Sequence, residues 1–182
     1  VVQQLGTEDG FNSDPLIHIP LPKSLLKTRD LANKIGLGNY FDSLELKLNR
    51  AAEAATPKAK ALLWDSIRKI TLTDAKNILY GPKDAATRYF QKTMSPSLAS
   101  EMQPIVRNSL AEVGAIQAYE KATGSLGNFA SVLPDYKQQL TDHVIQLGMD
   151  GIFTYLAKEE AAIRENPIKR TTEILQRVFG SR

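Results

Sequence analysis

The stretch from Leu140 to Glu165, LTDHVIQLGMDGIFTYLAKEEAAIRE, decides the fold. It contains no proline, and Ile145, Gly148, Met149, Ile152, Tyr155 and Leu156 recur at spacings of three and four, along one face of a long helix. Extending that stripe reaches Glu159 and then Ile163, so Glu159 is expected at the core or its rim. A lone carboxylate there is costly to bury and calls for a partner, such as an arginine from another helix or a set of backbone donors. Glu160 precedes Arg164 by four residues, the order that suits a surface ion pair.

The same periodicity organises the rest of the chain. Ser95-Pro96 is a start signal for a helix carrying Met102, Ile105, Val106 and Leu110 as far as Gly114, with Pro104 bending or breaking it. Asp84 caps a shorter helix through Tyr89 and Phe90, and Thr73 starts another that ends at Tyr80 before Gly81-Pro82. Pro57 suits the first turn of a helix with Ala59, Leu62, Leu63, Ile67 and Ile70 on one side. Asn39 can cap a helix to about Ala55, and Lys23 to Ile35 forms one closed by Gly36. Weaker turns are expected over Ile116–Ala122 and Gly127–Leu133, and Pro167 opens a last helix to Phe179.

At the other end, Val1 to Leu5 reads as the last turn of a helix begun upstream. Asp14 to Pro22 then holds three prolines around Leu16, Ile17, Ile19 and Leu21, the pattern of an extended strap packed on helices. No alternating β-branched run bounded by a hairpin turn appears, and no fixed-period repeat. The expected fold is all-α, one domain over residues 1–182, a compact irregular bundle of nine to ten helices. Residues 1–22 are its strap and the end of the upstream helix, and residues 23–179 its helical core.

With 42% apolar residues in a chain of 182, one continuous core can close. The net charge of +3 is mild, most Lys and Arg have acidic neighbours at helical spacing, and the densest basic stretch is Lys169-Arg170. No nucleic-acid partner is expected on that pattern. The absence of cysteine removes disulfides, thiolate metal sites and cysteine nucleophiles together. No apolar run approaches the ~18 residues that span a bilayer, so no transmembrane segment is expected and the chain reads as soluble.

Motifs for chemistry are missing as well. His18 and His143 stand in no metal-ligand spacing, and His143 reads as a surface or capping residue. Gly36-Leu37-Gly38 lacks the third glycine and preceding strand of a dinucleotide loop. Gly124-Ser125-Leu126-Gly127 is not the Gly-x-Ser-x-Gly of a nucleophile elbow, and Gly81-Pro82-Lys83 has no phosphate-loop frame. The sequence assigns no catalytic residue, no cofactor and no metal.

One helix carries a second face that needs explaining. Phe41, Leu44, Leu48, Ala51, Ala52 and Ala55 point inward, whereas Leu46, Asn49, Arg50 and Glu53 fall on the opposite side. Either this is a solvated face with an ordinary Arg50–Glu53 pair, or the helix is sandwiched between two layers or lines a groove.

Laid end to end, these pieces resemble a bacterial family, domain of unknown function 4197. The matching stretches are Gln4-Leu-Gly with Asp9-Gly-Phe11, Ile19-Pro-Leu-Pro22, Asn49-Arg-Ala-Ala-Glu-Ala54, Asp74-Ala-Lys with Ile78-Leu79, and Asp84-Ala-Ala-Thr-Arg-Tyr-Phe90. They continue with Pro104-Ile-Val106, Asp150-Gly-Ile-Phe153, Glu159-Glu160 with Ile163-Arg164, and Asn166-Pro167 with Arg170-Thr-Thr172 and Val178-Phe-Gly180. The resemblance implies an exported protein of the bacterial envelope, periplasmic or lipid-anchored, with a signal or lipoprotein sequence and a further helix upstream of Val1. It supplies no activity. The family's motif positions nominate Asn49, Arg50, Glu53, Asp84, Arg88, Glu159, Glu160, Arg164 and Arg170 as one polar cluster. His143 departs from the pattern, where an aromatic such as Tyr is expected.

Two functional readings follow, beside a third in which the basic C-terminal helix binds a membrane surface. The first is a non-enzymatic helical module of the envelope that takes a partner protein, a peptide or a small apolar ligand in a groove. The alternative is an enzyme of unrecognised mechanism, with Glu159 or Glu160 as acid or base beside Arg50, Arg88 or Arg164, which needs those residues to converge in an open pocket.

Overall fold

The computed structural model describes residues 1–112, 114, 117, 120, 121 and 136–166. Its helices are α1 (Val2–Leu5), α2 (Lys23–Lys34), α3 (Gly38–Ala55), α4 (Lys58–Arg68), α5 (Leu72–Tyr80), α6 (Ala85–Glu112) and α7 (Tyr136–Glu165). Among the described residues seven helices are delimited, rather than nine to ten, and there is no strand, so the all-α class holds. The turns expected over 116–122 and 127–133 and the helix expected over 167–179 lie wholly or mostly outside the described residues.

Part of the difference in number is physical. The helix from Asp84 and the one from Ser95-Pro96 are a single α6, which runs through both Pro96 and Pro104. Each proline withholds one N–H from a carbonyl four residues back, on Lys92 and Ser100. All four of these residues are solvent-exposed, so water can take the freed carbonyls. Upstream of Pro96, the Ser95 hydroxyl donates to the Gln91 carbonyl and the Thr93 hydroxyl to that of Tyr89.

Local chemistry sets the other ends. Helix α2 closes in a Schellman turn: Leu37 N–H bonds the Ala32 carbonyl at 2.9 Å and Gly36 N–H that of Asn33 at 3.3 Å, with Gly36 at φ 77°. Helix α5 starts one residue before the expected Thr73, because Thr71 and Asp74 form a reciprocal capping box. Asn39 lies inside α3 and is not its cap.

Helices α3, α6 and α7 pack on one another, α2 lies on α3, and α4 and α5 lie on α6. Between them Leu44, Leu48, Met94, Leu98, Met102, Val144 and Ile152 are removed from solvent. The N-terminal strap crosses α3 and α7. Its Phe11, Ile17, Ile19 and Leu21 are buried, while Leu16, expected inside, is 52% exposed. Residues 15–17 are not extended as expected but form a turn closed by the Ile17 and His18 amides on the Asp14 carbonyl, which turns Leu16 outward, and the strap is extended only beyond it.

The strap seats on α7 at a glycine. A Cβ on Gly151 would lie 2.7 Å from Phe11 Cε1 and 3.3 Å from Ile17 Cβ. Gly151→Ala is therefore expected to overpack this contact and cost about 1–3 kcal/mol in a urea melt. A variant as stable as the parent would show that the strap does not press on α7.

Candidate functional site

Helix α3 presents Glu45, Asn49 and Glu53 at intervals of four, one polar line under the strap. An extended segment with no strand beside it must place its backbone polar groups elsewhere. Here they go to that line. Asn49 Oδ1 accepts from Ile19 N at 2.9 Å, and its Nδ2 donates to the carbonyls of Ile19 and Glu45, each at 2.9 Å. Glu53 Oε1 accepts from the N–H groups of Phe11 (3.1 Å) and Asn12 (3.2 Å). Glu45 Oε2 accepts from Leu21 N at 3.0 Å.

Side chains then tie the strap's turns to the same line. Arg50 donates through Nη1 to Glu53 Oε2 (2.8 Å) and through Nη2 to Asp9 Oδ1 (2.9 Å), with Glu8 at 3.3 Å. Asp9 sits at φ 64°, a left-handed conformation that Asp tolerates, and bonds from Asn12 and Arg50 hold its carboxyl below the ordinary value. His18 places Nδ1 2.8 Å from the Asn12 carbonyl and Nε2 2.9 Å from Glu45 Oε1, so both ring nitrogens face acceptors. His143 Nε2 donates to the Pro20 carbonyl at 2.7 Å. The Tyr155 hydroxyl donates to Asp14, which lowers the Asp14 carboxyl and raises the phenol.

The second group is built on α7. Glu160 is buried, and its Oε1 accepts from Ala86 N (2.9 Å) while its Oε2 accepts from Thr87 N and Thr87 Oγ1 (2.8 Å each). Those amides belong to the first turn of α6, whose N–H groups have no partner within the helix. Arg164 donates to Glu160 Oε1 through Nε (3.0 Å) and Nη2 (2.7 Å), and through Nη2 to the Ile78 carbonyl (2.7 Å) in the last turn of α5. One ion pair on α7 thus clamps the turn between α5 and α6 from both sides.

The nominated residues are therefore distributed as follows. Asn49, Arg50 and Glu53 meet under the strap, and Glu160 and Arg164 meet at the α5–α6 turn. Asp84 and Arg88 form an exposed pair at 2.8 Å, Glu159 is exposed, and Arg170 lies outside the described residues. The register of α7 reverses the expectation for its two glutamates, since Glu160 faces inward and Glu159 outward. The buried face rotates along the helix, from Val144, Gly148 and Ile152 to Phe153, Glu160 and the nearly buried Arg164, because the neighbours of Glu160 and Arg164 are the ends of α5 and α6. The 143 position carries a hydrogen bond to the strap in addition to its surface location.

The sequence assigned no site role to His18, Asp9 or Thr87 and did not single out Glu45. The available signal was the four-residue spacing of Glu45, Asn49 and Glu53 beside a proline-broken segment whose amides needed acceptors. On the α3 face with two sides, the sandwiched alternative is the observed one for Asn49 and Glu53, whereas Leu46 stays 40% exposed.

Shallow depressions open on the surface beside Ala61, Trp64, Asp65 and Arg68 (about 400 Å³), beside the strap turn from Thr7 to Pro15 (about 410 Å³) and beside Tyr40, Lys47 and Gln117 (about 350 Å³). Among the described residues, no group of His, Asp and Glu is placed to hold a metal ion, and no helix is long and apolar enough to cross a membrane. No curated protein and no solved structure matches the chain. A family model described as "Protein of unknown function (DUF4197)" matches residues 1–180, and the chain belongs to that family.

Proposed function

We propose that the chain is a non-enzymatic helical binding module of the bacterial cell envelope, which meets its partner through its outer surface. The observation that carries this reading is where the strongest acid–base candidates have gone. Both oxygens of Glu160 and both of Glu53 already accept hydrogen bonds from backbone amides or from arginine at 2.7–3.2 Å. A general acid or base needs an oxygen that a substrate can reach, and occupied, buried oxygens weigh against that role. Glu159 is accessible, but it stands apart from Arg164, four positions from which Glu160 takes the ion pair.

A thermal-shift screen of metabolites, metals and lipids on the parent and on Glu53→Gln tests the reading. Any ligand that stabilises the parent is expected to stabilise the folded variant equally. A small metabolite whose shift disappears in a folded Glu53→Gln would place a ligand at that carboxylate and count against binding through the outer surface. Cell fractionation checks the location, with the protein expected in the envelope fraction and a purely cytosolic distribution counting against it.

A further inference from the structure

Helices α4 and α5 share an arrangement that the fold itself does not use. Both pack on α6, α4 through Ala59, Leu62, Leu63 and Ser66 and α5 through Ile78 and its flanks, and both turn the opposite side to solvent. On that side α4 shows Ala61, Trp64, Asp65 and Arg68, with Arg68 3.4 Å from Asp65, and α5 shows Leu72, Lys76 and Tyr80, each set at spacings of three or four. Trp64 is 51% exposed, Leu72 85% and Tyr80 75%, and the last two exceed every other large apolar side chain among the described residues.

Charge is concentrated on the same two helices. Residues 58–80 hold five cations, Lys58, Lys60, Arg68, Lys69 and Lys76, against Asp65 and Asp74. The rest of the chain holds 18 cations and 18 carboxylates, so this segment carries the whole net charge of +3. Asp74 is engaged in the cap of α5. Lys60, Lys69 and Lys76 make no ion pair among the described residues.

An isolated exposed apolar residue means little, but a Trp, a Tyr and a Leu interleaved with lysines have a specific use. Aromatic rings with a polar edge sit at the headgroup level of a bilayer, and lysine stems lie along apolar surface while their ammonium groups reach phosphates. We propose that α4 and α5 form a membrane-contact face that binds anionic phospholipid headgroups, with Trp64, Leu72 and Tyr80 entering the interface and Lys60, Arg68, Lys69 and Lys76 meeting the phosphates. This deepens the binding-module reading and rests on it, with the lipid surface as the partner.

Trp64 is the single tryptophan of the chain, so its emission reports on this face alone. The full chain is titrated with phosphatidylcholine vesicles, with vesicles that also contain phosphatidylglycerol, and with polyglutamate. Emission is expected to move to shorter wavelength only with the anionic vesicles, and to recover as salt screens the attraction. Neutralising Lys60, Lys69 and Lys76 with glutamine is expected to weaken partitioning by about fivefold for each lysine. Leu72→Ser with Tyr80→Ser is expected to abolish the shift while the circular dichroism melt stays unchanged. Co-sedimentation with vesicles without a change at Trp64 would overturn the proposal, since another surface would then be binding. An equal shift with polyglutamate would overturn it in favour of an acidic protein, and a shift that depends on protein concentration alone in favour of a second copy of the chain. Either of these two outcomes leaves the module reading standing, and an absence of response in every arm overturns only the lipid partner.

Discussion

Glu160→Ala is expected to destabilise the fold by about 3–5 kcal/mol, the range for breaking a buried ion pair by removing one partner. The loss has several sources. Arg164, whose side chain is 10% exposed, loses its two bonds to the Glu160 carboxylate, and the amides of Ala86 and Thr87 lose their acceptor. For a domain of this size the melting temperature should fall by roughly 10 °C. Glu159→Ala, one position away and exposed, should change stability by no more than about 0.5 kcal/mol. The double variant Glu160→Ala with Arg164→Ala should cost clearly less than the two single losses added together, because the two residues act through one shared contact. A Glu159→Ala variant less stable than Glu160→Ala would restore the register read from the apolar stripe and refute the clamp.

The second large effect concerns Asn49. Its side chain is removed from solvent and serves both backbone groups of Ile19, which is buried as well. Asn49→Ala leaves a buried donor and a buried acceptor without partners, at about 1–3 kcal/mol each, which amounts to roughly 2–6 kcal/mol on strap docking. Limited proteolysis should show this as rapid cleavage near Phe11 and in the strap, with the helices cut more slowly. Asn49→Asp is the sharper probe. The carboxylate can still accept from Ile19 N–H but now faces the Ile19 carbonyl with no hydrogen to donate, so it should release the strap despite its near-identical shape. A strap in Asn49→Asp as resistant as in the parent would mean that the amide is not what holds it.

These two sites also show what could be read in advance. Helix positions came through because apolar residues at three- and four-residue spacing leave few alternatives, as along Leu44, Leu48 and Ala52 or Val144, Gly148 and Ile152. The proline break in α6 was misread because a proline's cost depends on whether water reaches the carbonyl it deprives, and that depends on which face turns outward. The two glutamates of α7 were exchanged for a similar reason. A stripe read from apolar residues alone assumes one neighbour along the whole helix, whereas the last turns of α7 face polar helix ends whose unpaired amides attract a carboxylate. Of the nominated polar residues, Asn49, Arg50 and Glu53 could be grouped from their spacing. That Asp9 and the strap backbone complete the group needed the tertiary fold.

The strap has a consequence for how its length can vary. Along α3, each step from Glu53 to Asn49 to Glu45 advances four residues, about 6 Å of helix. Two residues of extended chain cover nearly the same distance, about 6.6 Å. From Ile19 to Leu21 the strap keeps pace with the helix on that ratio, so one inserted residue there would throw the amides out of step with their acceptors and turn the apolar side chains outward. Between Asn12 and Ile17 the chain is folded into turns held at their ends and, through Asp14, by the Tyr155 hydroxyl. Insertions are therefore tolerable in the turns and ruinous a few residues later, in a segment that looks equally irregular.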